Sequence, residues 1–587
     1  MTQAVGALVL SDSVSFQVWA PFASTVHVMG DFNNWSETDT ALTKDDNGYW
    51  SAKVSGAKPG HEYKYVIHNG ETKLFRNDPR ALQITASGDN SIIVASDFQW
   101  HDQAFTMPPP HQQVIYEMHL GTFHRHDPAT PGTFETTLEK IDHLASLGIT
   151  TVELMPITST AINRWWGYDP DYLFAVETSY GGHHALLEFV NAAHQRGIGV
   201  VLDVVYNHLS PYEEPDLWQF DGWNENGQGG IYFYNDWRAT TPWGPRLDYG
   251  RPEVRDYIVD NALMWLRDCH IDGLRCDAVF AIRKNVTNQI TDNAPDNPEA
   301  RQTLQRITKE AKALKPHALL IAEDFSTDPS ITKPPEQGGL GFDTQWDTGF
   351  PSLIRDALEP INDSDRNLSF ITTALTKRYN DHAFERVIYT ESHDADANGR
   401  ARLNEEISPG DATSLWAKRR STMGAAICLT APGTPMLFQG QEFMEQGWFS
   451  HWQALDWQKA EAFAGIVGLY RDLIALRLNR HHTSAGLCGP NIAILHEDHS
   501  QKVLAYHRFD QGGARDDVII VLNLSNRTFS GYEFHFPRAG IWKVRLNSDW
   551  HGYSPHFTNT PTPDIEVKQD HGSVNLGAYS FLILSQD

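Results

Sequence analysis

Four short runs near the N-terminus, VSFQVWAP, TVHVMGDF, GYWSAKV and EYKYVIH, alternate apolar and polar positions, with turn residues such as Asp45-Asp46-Asn47-Gly48 between them. A period of two turns one face of each run to a core and the other to water, so residues 1–105 predict a β-sandwich. The segment Met107-Pro108-Pro109-Pro110-His111 reads as a stiff linker, because proline fixes φ. Over 106–481 apolar runs alternate with amphipathic segments. Eight of these runs have strand character: VIYEMHLGTF (114–123), TVELMP (151–156), GVVLDVVYNH (199–208), GLRCDAV (273–279), LLIAED (319–324), GFDTQW (341–346), RVIYTESHD (386–394) and TPMLFQGQE (434–442). TFETTLEKIDHLASLG and HHALLEFVNAAHQRG lie between them, with Gly at or near their C-terminal ends. Eight strands with helical returns describe an α/β fold, a (β/α)8 TIM barrel. An open doubly wound sheet is the alternative, and no Gly-rich phosphate loop supports it. Residues 209–250, rich in Trp, Tyr, Gly, Asn and Asp, form an insertion too long for a simple turn, and long loops at that face usually carry function. From 482 to 587 the β pattern returns in KVLAYHRF, DVIIVLNL, GYEFHF, IWKVRL and GAYSFLIL, which predicts a C-terminal β-sandwich.

Composition narrows the partners. The 74 acidic residues outnumber the 47 basic ones, giving a net charge of −27. That balance argues against nucleic acid and anionic membranes, which bind through excess Lys and Arg. A neutral ligand fits better, and the 18 Trp and 20 Tyr suit sugars, whose apolar faces stack on flat rings. Trp35 and Trp50 of the N-terminal domain are candidates for such stacking, or for packing of the sandwich. No run approaches the ~20 apolar residues of a membrane span. The start, MTQAVGALVLSDS, has no charged n-region and no cleavage site, so no secretory signal is expected. Cys269, Cys276, Cys428 and Cys488 show no C-x-x-C spacing and are expected to be reduced core thiols of a cytoplasmic protein.

Candidate chemistry gathers at strand ends. In a barrel, side chains at the C-terminal ends of strands point into one pocket. The fourth strand brings Arg275 and Asp277, two apart and therefore on the same side of the pleat. An Arg beside a carboxylate favours the ionised form that a nucleophile needs. The fifth brings Glu323, whose longer arm suits a proton donor if burial and neighbouring acids raise its pKa. The seventh brings His393 and Asp394, and the third Asp203, Asn207 and His208. A lone strand-end Asp is more often a cap or a rim salt bridge. Four strands each ending in acid, with Arg or His beside three of them, point to catalysis instead.

The segments DVVYNH, GLRCDAV, IAED and the SHD of TESHD resemble the four signature segments of the α-amylase family of glycoside hydrolases and transglycosidases. That resemblance implies Asp277 as nucleophile, Glu323 as general acid/base and Asp394 as the carboxylate gripping sugar hydroxyls. It also implies substrate-binding roles for Asp203, His208, Arg275 and His393, and for Tyr168 of RWWGYDPDYLF as the aromatic platform under the same ring. The N-terminal VWAPFASTVHVMGDFNNW is similar to the glycogen-binding-type module, carbohydrate-binding module family 48.

Retaining glycosidases hold nucleophile and acid about 5–5.5 Å apart and pass through a covalent glycosyl-enzyme, which water or a sugar hydroxyl can resolve. Within the family, AEDFSTDPSITKPPEQGGLGFDTQWDTGF, TESHD and FSHWQALDW look like branching enzymes. VIYEMHLGTF and PGTFETTLEKIDHLASLGITTVELMPI look equally like maltooligosyltrehalose trehalohydrolase, and PGTPMLFQGQEF is closer to amylase-type hydrolases. The expectation is an enzyme acting on α-1,4-glucan, glycogen or maltooligosaccharide, of branching type, with hydrolysis as the alternative and a non-catalytic glycogen-binding scaffold as a remote one. Many α-amylases bind Ca²⁺ through the Asn of the third-strand motif and a His shortly after the nucleophile. Asn207 is present, but residues 278–281 read Ala-Val-Phe-Ala, so no metal site of that kind and no cofactor are expected.

Overall fold

The computed structural model describes residues 6–587 apart from 87, 96, 161–165, 212–215 and 288–292. Arg164 and Trp165 of the RWWGYDPDYLF motif, and 212–215 of the long insertion, therefore lie outside the described residues. Eight parallel strands close a barrel: β1 (Ile115–Met118), β2 (Thr151–Leu154), β3 (Gly199–Val204), β4 (Gly273–Cys276), β5 (Leu319–Ala322), β6 (Thr344–Trp346), β7 (Arg386–Ile388) and β8 (Thr434–Phe438), with β8 pairing back to β1. The pleat sorts their side chains into layers. Ile115, Val201, Leu319, Ile321, Val387 and Met436 pack together as an apolar layer. Two residues further along, the same parity brings Glu117, Asp203 and Glu323 to the C-terminal end. Apolar filling below and polar groups above thus follow from one alternation.

The strands are shorter than the apolar runs that predict them. The run 114–123 is strand only over Ile115–Met118, and Leu120–Phe123 is a helical turn. Likewise the run 386–394 is strand only over Arg386–Ile388. The regular ladder ends at these residues, although the chain beyond stays buried, as at Phe123 and Tyr389. TFETTLEKIDHLASLG divides into helices Phe134–Leu138 and Ile141–Leu147. A reciprocal Thr133/Thr136 capping box starts the first, and Gly148 ends the second in the left-handed conformation (φ 101°).

Two β units flank the barrel. In the first, one sheet (Gly6–Val9, Ser13–Trp19, Thr43–Lys44, Tyr49–Ser55) faces another (Thr25–Gly30, Glu62–Asn69, Thr72–Arg76, Ser91–Ile92). Val14, Phe16, Val18, Val26, Val28, Tyr63 and Tyr65 are buried. Trp50 is buried too and donates Nε1–H to the Ala20 carbonyl at 2.9 Å, so it packs the sandwich. In the C-terminal unit a six-stranded sheet accompanies the antiparallel pair Phe529–His535 and His571–Leu576, around Trp542, Phe534 and Val521. The four cysteines are unpaired, three of them buried. Among the described residues no helix is long and apolar enough to cross a membrane.

Candidate active site

Backbone pairing of β4 with β3 on one side and β5 on the other continues past the strand ends and positions the acids. The amide of Asp277 donates to Val204 O (3.0 Å), that of Glu323 to Cys276 O (3.0 Å) and that of Val279 to Glu323 O (2.8 Å). Gly273 permits this close approach, since a Cβ there would lie 2.2 Å from the Leu319 carbonyl oxygen. The Glu323 carboxylate accepts the Ala278 amide at 2.7 Å, and Ala278 takes the left-handed conformation (φ 47°, ψ 42°). Nucleophile and acid candidates are therefore held on adjoining backbone.

Arg275 sits at the centre, fully buried, with its guanidinium 4.5 Å over the Trp346 ring. It donates from Nη1 to both Asp203 oxygens (2.9 and 2.7 Å) and to Asp277 Oδ1 (3.1 Å), while Nη2 pairs with Glu323 Oε2 at 3.1 Å. Burial and then the facing Glu323 push the Asp277 carboxyl well above its usual range, against the pull of Arg275. The expectation that Arg275 favours ionised Asp277 thus holds for the contact and not for the net balance. Burial likewise raises Asp203 to about 6, with Arg275 and the Tyr168 hydroxyl opposing it.

The remaining predicted residues converge on the same mouth. Tyr168 donates its hydroxyl to Asp203 Oδ2 at 2.6 Å and stacks on His393 (5.1 Å between centroids, 23°). His208 meets the Tyr168 carbonyl through Nε2 at 2.9 Å, and burial lowers its pKa to about 4. On His393, burial acts to lower the pKa, but the carboxylates of Asp394 and Glu117 outweigh it and raise the ring to about 9. Asp394 is the most open acid, its side chain 41% exposed beside His393 Nε2 (3.5 Å) and accepting from Asn398 at 3.0 Å. A cavity of about 340 Å³ opens there, lined by Glu323, Phe325, Trp346, Tyr389, Asp394 and Asn398 among others.

Residues 118–219 and 211–472 match the model of the alpha amylase catalytic domain. The chain belongs to the α-amylase family. Residues 4–81 match carbohydrate-binding module 48, the isoamylase N-terminal domain, and 494–587 match the alpha amylase C-terminal all-beta domain. The chain is thus an enzyme of the glycoside hydrolase and transferase type. It is 32% identical over 573 residues to the 1,4-alpha-glucan branching enzyme GlgB of Corynebacterium jeikeium, covering 93% of this chain and 77% of that one. With the 1,4-alpha-glucan branching enzyme GlgB of Oceanobacillus iheyensis the identity is 31%, over 94% and 93% of the two chains. Among solved structures, pullulanase type I from Bacillus subtilis, complexed with maltose, superposes with a TM-score of 0.75 at 20% identity over 100% and 86% of the chains, which shows the shared fold.

Sequence reading passed over three residues of this family member's site. Glu117 Oε1 lies 2.5 Å from His393 Nδ1, and Oε2 accepts the His393 amide at 3.0 Å. Glu153 is buried beside Glu117, and burial, then Glu117 and Asp203, raise its carboxyl far above the usual range. Trp346 is the ring under Arg275. The available signal was a single charge inside each apolar run, VIYEMHL and TVELMP. The long insertion divides its work. Trp243 stacks on His208 (5.8 Å, 26°) at the site wall, while residues 218–223 dock on the N-terminal sandwich.

Proposed function

We propose that this enzyme is a 1,4-α-glucan branching enzyme that works through a covalent glycosyl-Asp277 intermediate. The observation that supports it most is the single guanidinium of Arg275 pairing with both Asp277 and Glu323, in a chain about a third identical to branching enzymes over most of its length. Asp277 attacks the anomeric carbon as Glu323 gives its proton to the leaving glycosidic oxygen. The 6-hydroxyl of another glucan then attacks that carbon, Glu323 takes its proton, and the bond to Asp277 breaks. One α-1,4 link becomes one α-1,6 link with retention. Asp394, at the mouth, takes the hydroxyls of the sugar at the scission point. Tyr168 and His393 form its platform, and Asp203, His208 and Arg275 hold the surrounding polar frame. We assign residues 1–105 to a glycogen-binding-type module, 106–481 to the catalytic barrel and 482–587 to the C-terminal sandwich.

Amylose is the test substrate. New α-1,6 signals by proton NMR with little rise in reducing ends are expected. Reducing ends without branches would instead establish hydrolysis, the reading that PGTPMLFQGQEF favours. Asp277→Ala and Glu323→Gln should each cut turnover by about 10³-fold or more while leaving the thermal melt in place. Near-normal turnover in either variant refutes the assignment.

A further inference from the structure

Away from the carboxylates, one group of side chains has the chemistry of a metal site. His124 and His126 flank Arg125 on the segment that follows the helical turn after β1, and His124 is extended (φ −149°, ψ 128°). The two imidazoles accordingly reach one side, to a common acceptor, and Arg125 the other. Their acceptor is Glu139, just past the helix Phe134–Leu138. Glu139 Oε2 lies 3.3 Å from His124 Nε2 and Oε1 2.8 Å from His126 Nε2, and one ligand atom from each residue falls within 4.8 Å of the others. Around a tetrahedral Zn²⁺ with bonds of about 2.0–2.2 Å, ligand atoms lie roughly 3.3–3.6 Å apart. Small shifts therefore open these contacts to the size of an ion.

The scaffold is already in place. The His124 ring is 15% exposed and meets Trp457 edge-on at 6.1 Å, while Thr136, in the capping box, donates its hydroxyl to the His124 carbonyl at 2.6 Å. Glu139 and His126 are 47% and 64% exposed, which leaves the fourth position to water. Two imidazoles and one carboxylate suit Zn²⁺ and its neighbours, whereas Ca²⁺ and Mg²⁺ prefer oxygen shells.

We propose that His124, His126 and Glu139 bind a transition ion of the Zn²⁺ class and clamp the loop after β1 to the first helix of the barrel. The clamp reaches a sugar-sized space. On the opposite side of the segment, Arg125 donates from Nη2 to the Trp452 carbonyl (2.8 Å) and from Nη1 to the Pro128 carbonyl (3.3 Å). Both residues line a cavity of about 220 Å³ with Tyr180 and His451. An ion on one face of the segment stiffens the wall of that cavity on the other. A second group, His535, Asp570 and His571, is more than half exposed at every member and serves as the internal control.

The experiment uses the full chain without an affinity tag, stripped with EDTA. Zn²⁺ is titrated against a chromophoric chelator, and Co²⁺ is followed by its visible spectrum. One tight equivalent with the intense bands of tetrahedral Co²⁺ is expected. His126→Asn and Glu139→Gln should each weaken it by about tenfold or more, and His571→Asn should leave it intact. Tryptic cleavage after Arg125 should slow about tenfold at Zn²⁺ tenfold above its Kd, because binding suppresses opening by 1 + [Zn²⁺]/Kd. Absence of a tight equivalent overturns the proposal. So does an equivalent that survives both substitutions or disappears in His571→Asn. The substituted side chains are largely exposed, so folding of the variants is not at stake.

Discussion

Arg275 is fully buried and pairs with three carboxylates, Asp203, Asp277 and Glu323. Removing Arg275 would cost about 3–5 kcal/mol, because the buried carboxylates lose their shared partner, whereas removing Asp277 or Glu323 leaves Arg275 two acids. The same crowding sets the acid side of the pH profile. Burial and Glu323 raise Asp277, so the ionised form that its proposed role as nucleophile needs is lost at a higher pH than for an ordinary carboxylate. Activity should fall as pH drops, with an apparent pKa in kcat/KM well above ~4. His393, raised to about 9 against its burial, loses its proton as pH rises through that value and gives the basic limb. Glu117→Gln removes one of the two carboxylates that raise it, so the basic limb should move to lower pH while the acid limb stays. A pH–rate profile of the variant with an unchanged basic limb would dissociate His393 from activity.

The ladder of β3, β4 and β5 sets geometry one level up. Asp277 and Glu323 are held by main-chain bonds that continue beyond the last strand residues, and Ala278 turns the chain between them through a left-handed conformation. That conformation costs an L-residue roughly 1–2 kcal/mol, and more if the side chain is β-branched. Ala278→Gly should therefore keep turnover within about twofold and stability within about 1 kcal/mol of the parent. Ala278→Val should lower both, by ~2 kcal/mol or more in urea unfolding, as the turn and the Glu323 bond to the 278 amide are pulled apart. Equal behaviour of the two variants would mean that this turn does not set the distance between the acids. Strand existence was legible here because each apolar run is set off by a turn residue, Gly273 opening one and Pro316 preceding the other. Strand ends were not, since a buried chain past the barrel rim reads the same as a paired one.

At the scale of the whole molecule, the insertion after β3 adds to the contacts that hold the N-terminal sandwich to the barrel, such as Arg80–Asp260 at 2.9 Å. Arg76 donates to the carbonyls of Trp218, Gln219 and Phe220, the Phe22 amide donates to Asp221 at 2.9 Å, and Phe22 stacks on Trp223 (4.6 Å, 12°). Each such bond contributes about 1 kcal/mol, somewhat more where a charge takes part. The double variant Phe22→Ala, Arg76→Ala should raise hydrogen exchange of amides 218–223 by about tenfold or more while leaving each β-sandwich folded. Turnover of short maltooligosaccharides should be unaffected, and that of glycogen reduced. Unchanged exchange would show that Phe22 and Arg76 do not hold the insertion in place.

Periodicity alone determined the (β/α)8 barrel between two β units, and strand parity determined that Asp203, Arg275, Asp277 and Glu323 share one pocket. Both are local properties: a period of two fixes which face each residue occupies before any long-range contact forms. Other features were decided only by the closed barrel. Glu117 reaches His393 across 276 positions, and Arg275 divides itself among three acids from different strands. The proton balance of Asp277 follows from how much water those neighbours exclude. Charge interactions depend on distance and burial, and chain order carries neither until the strands have closed.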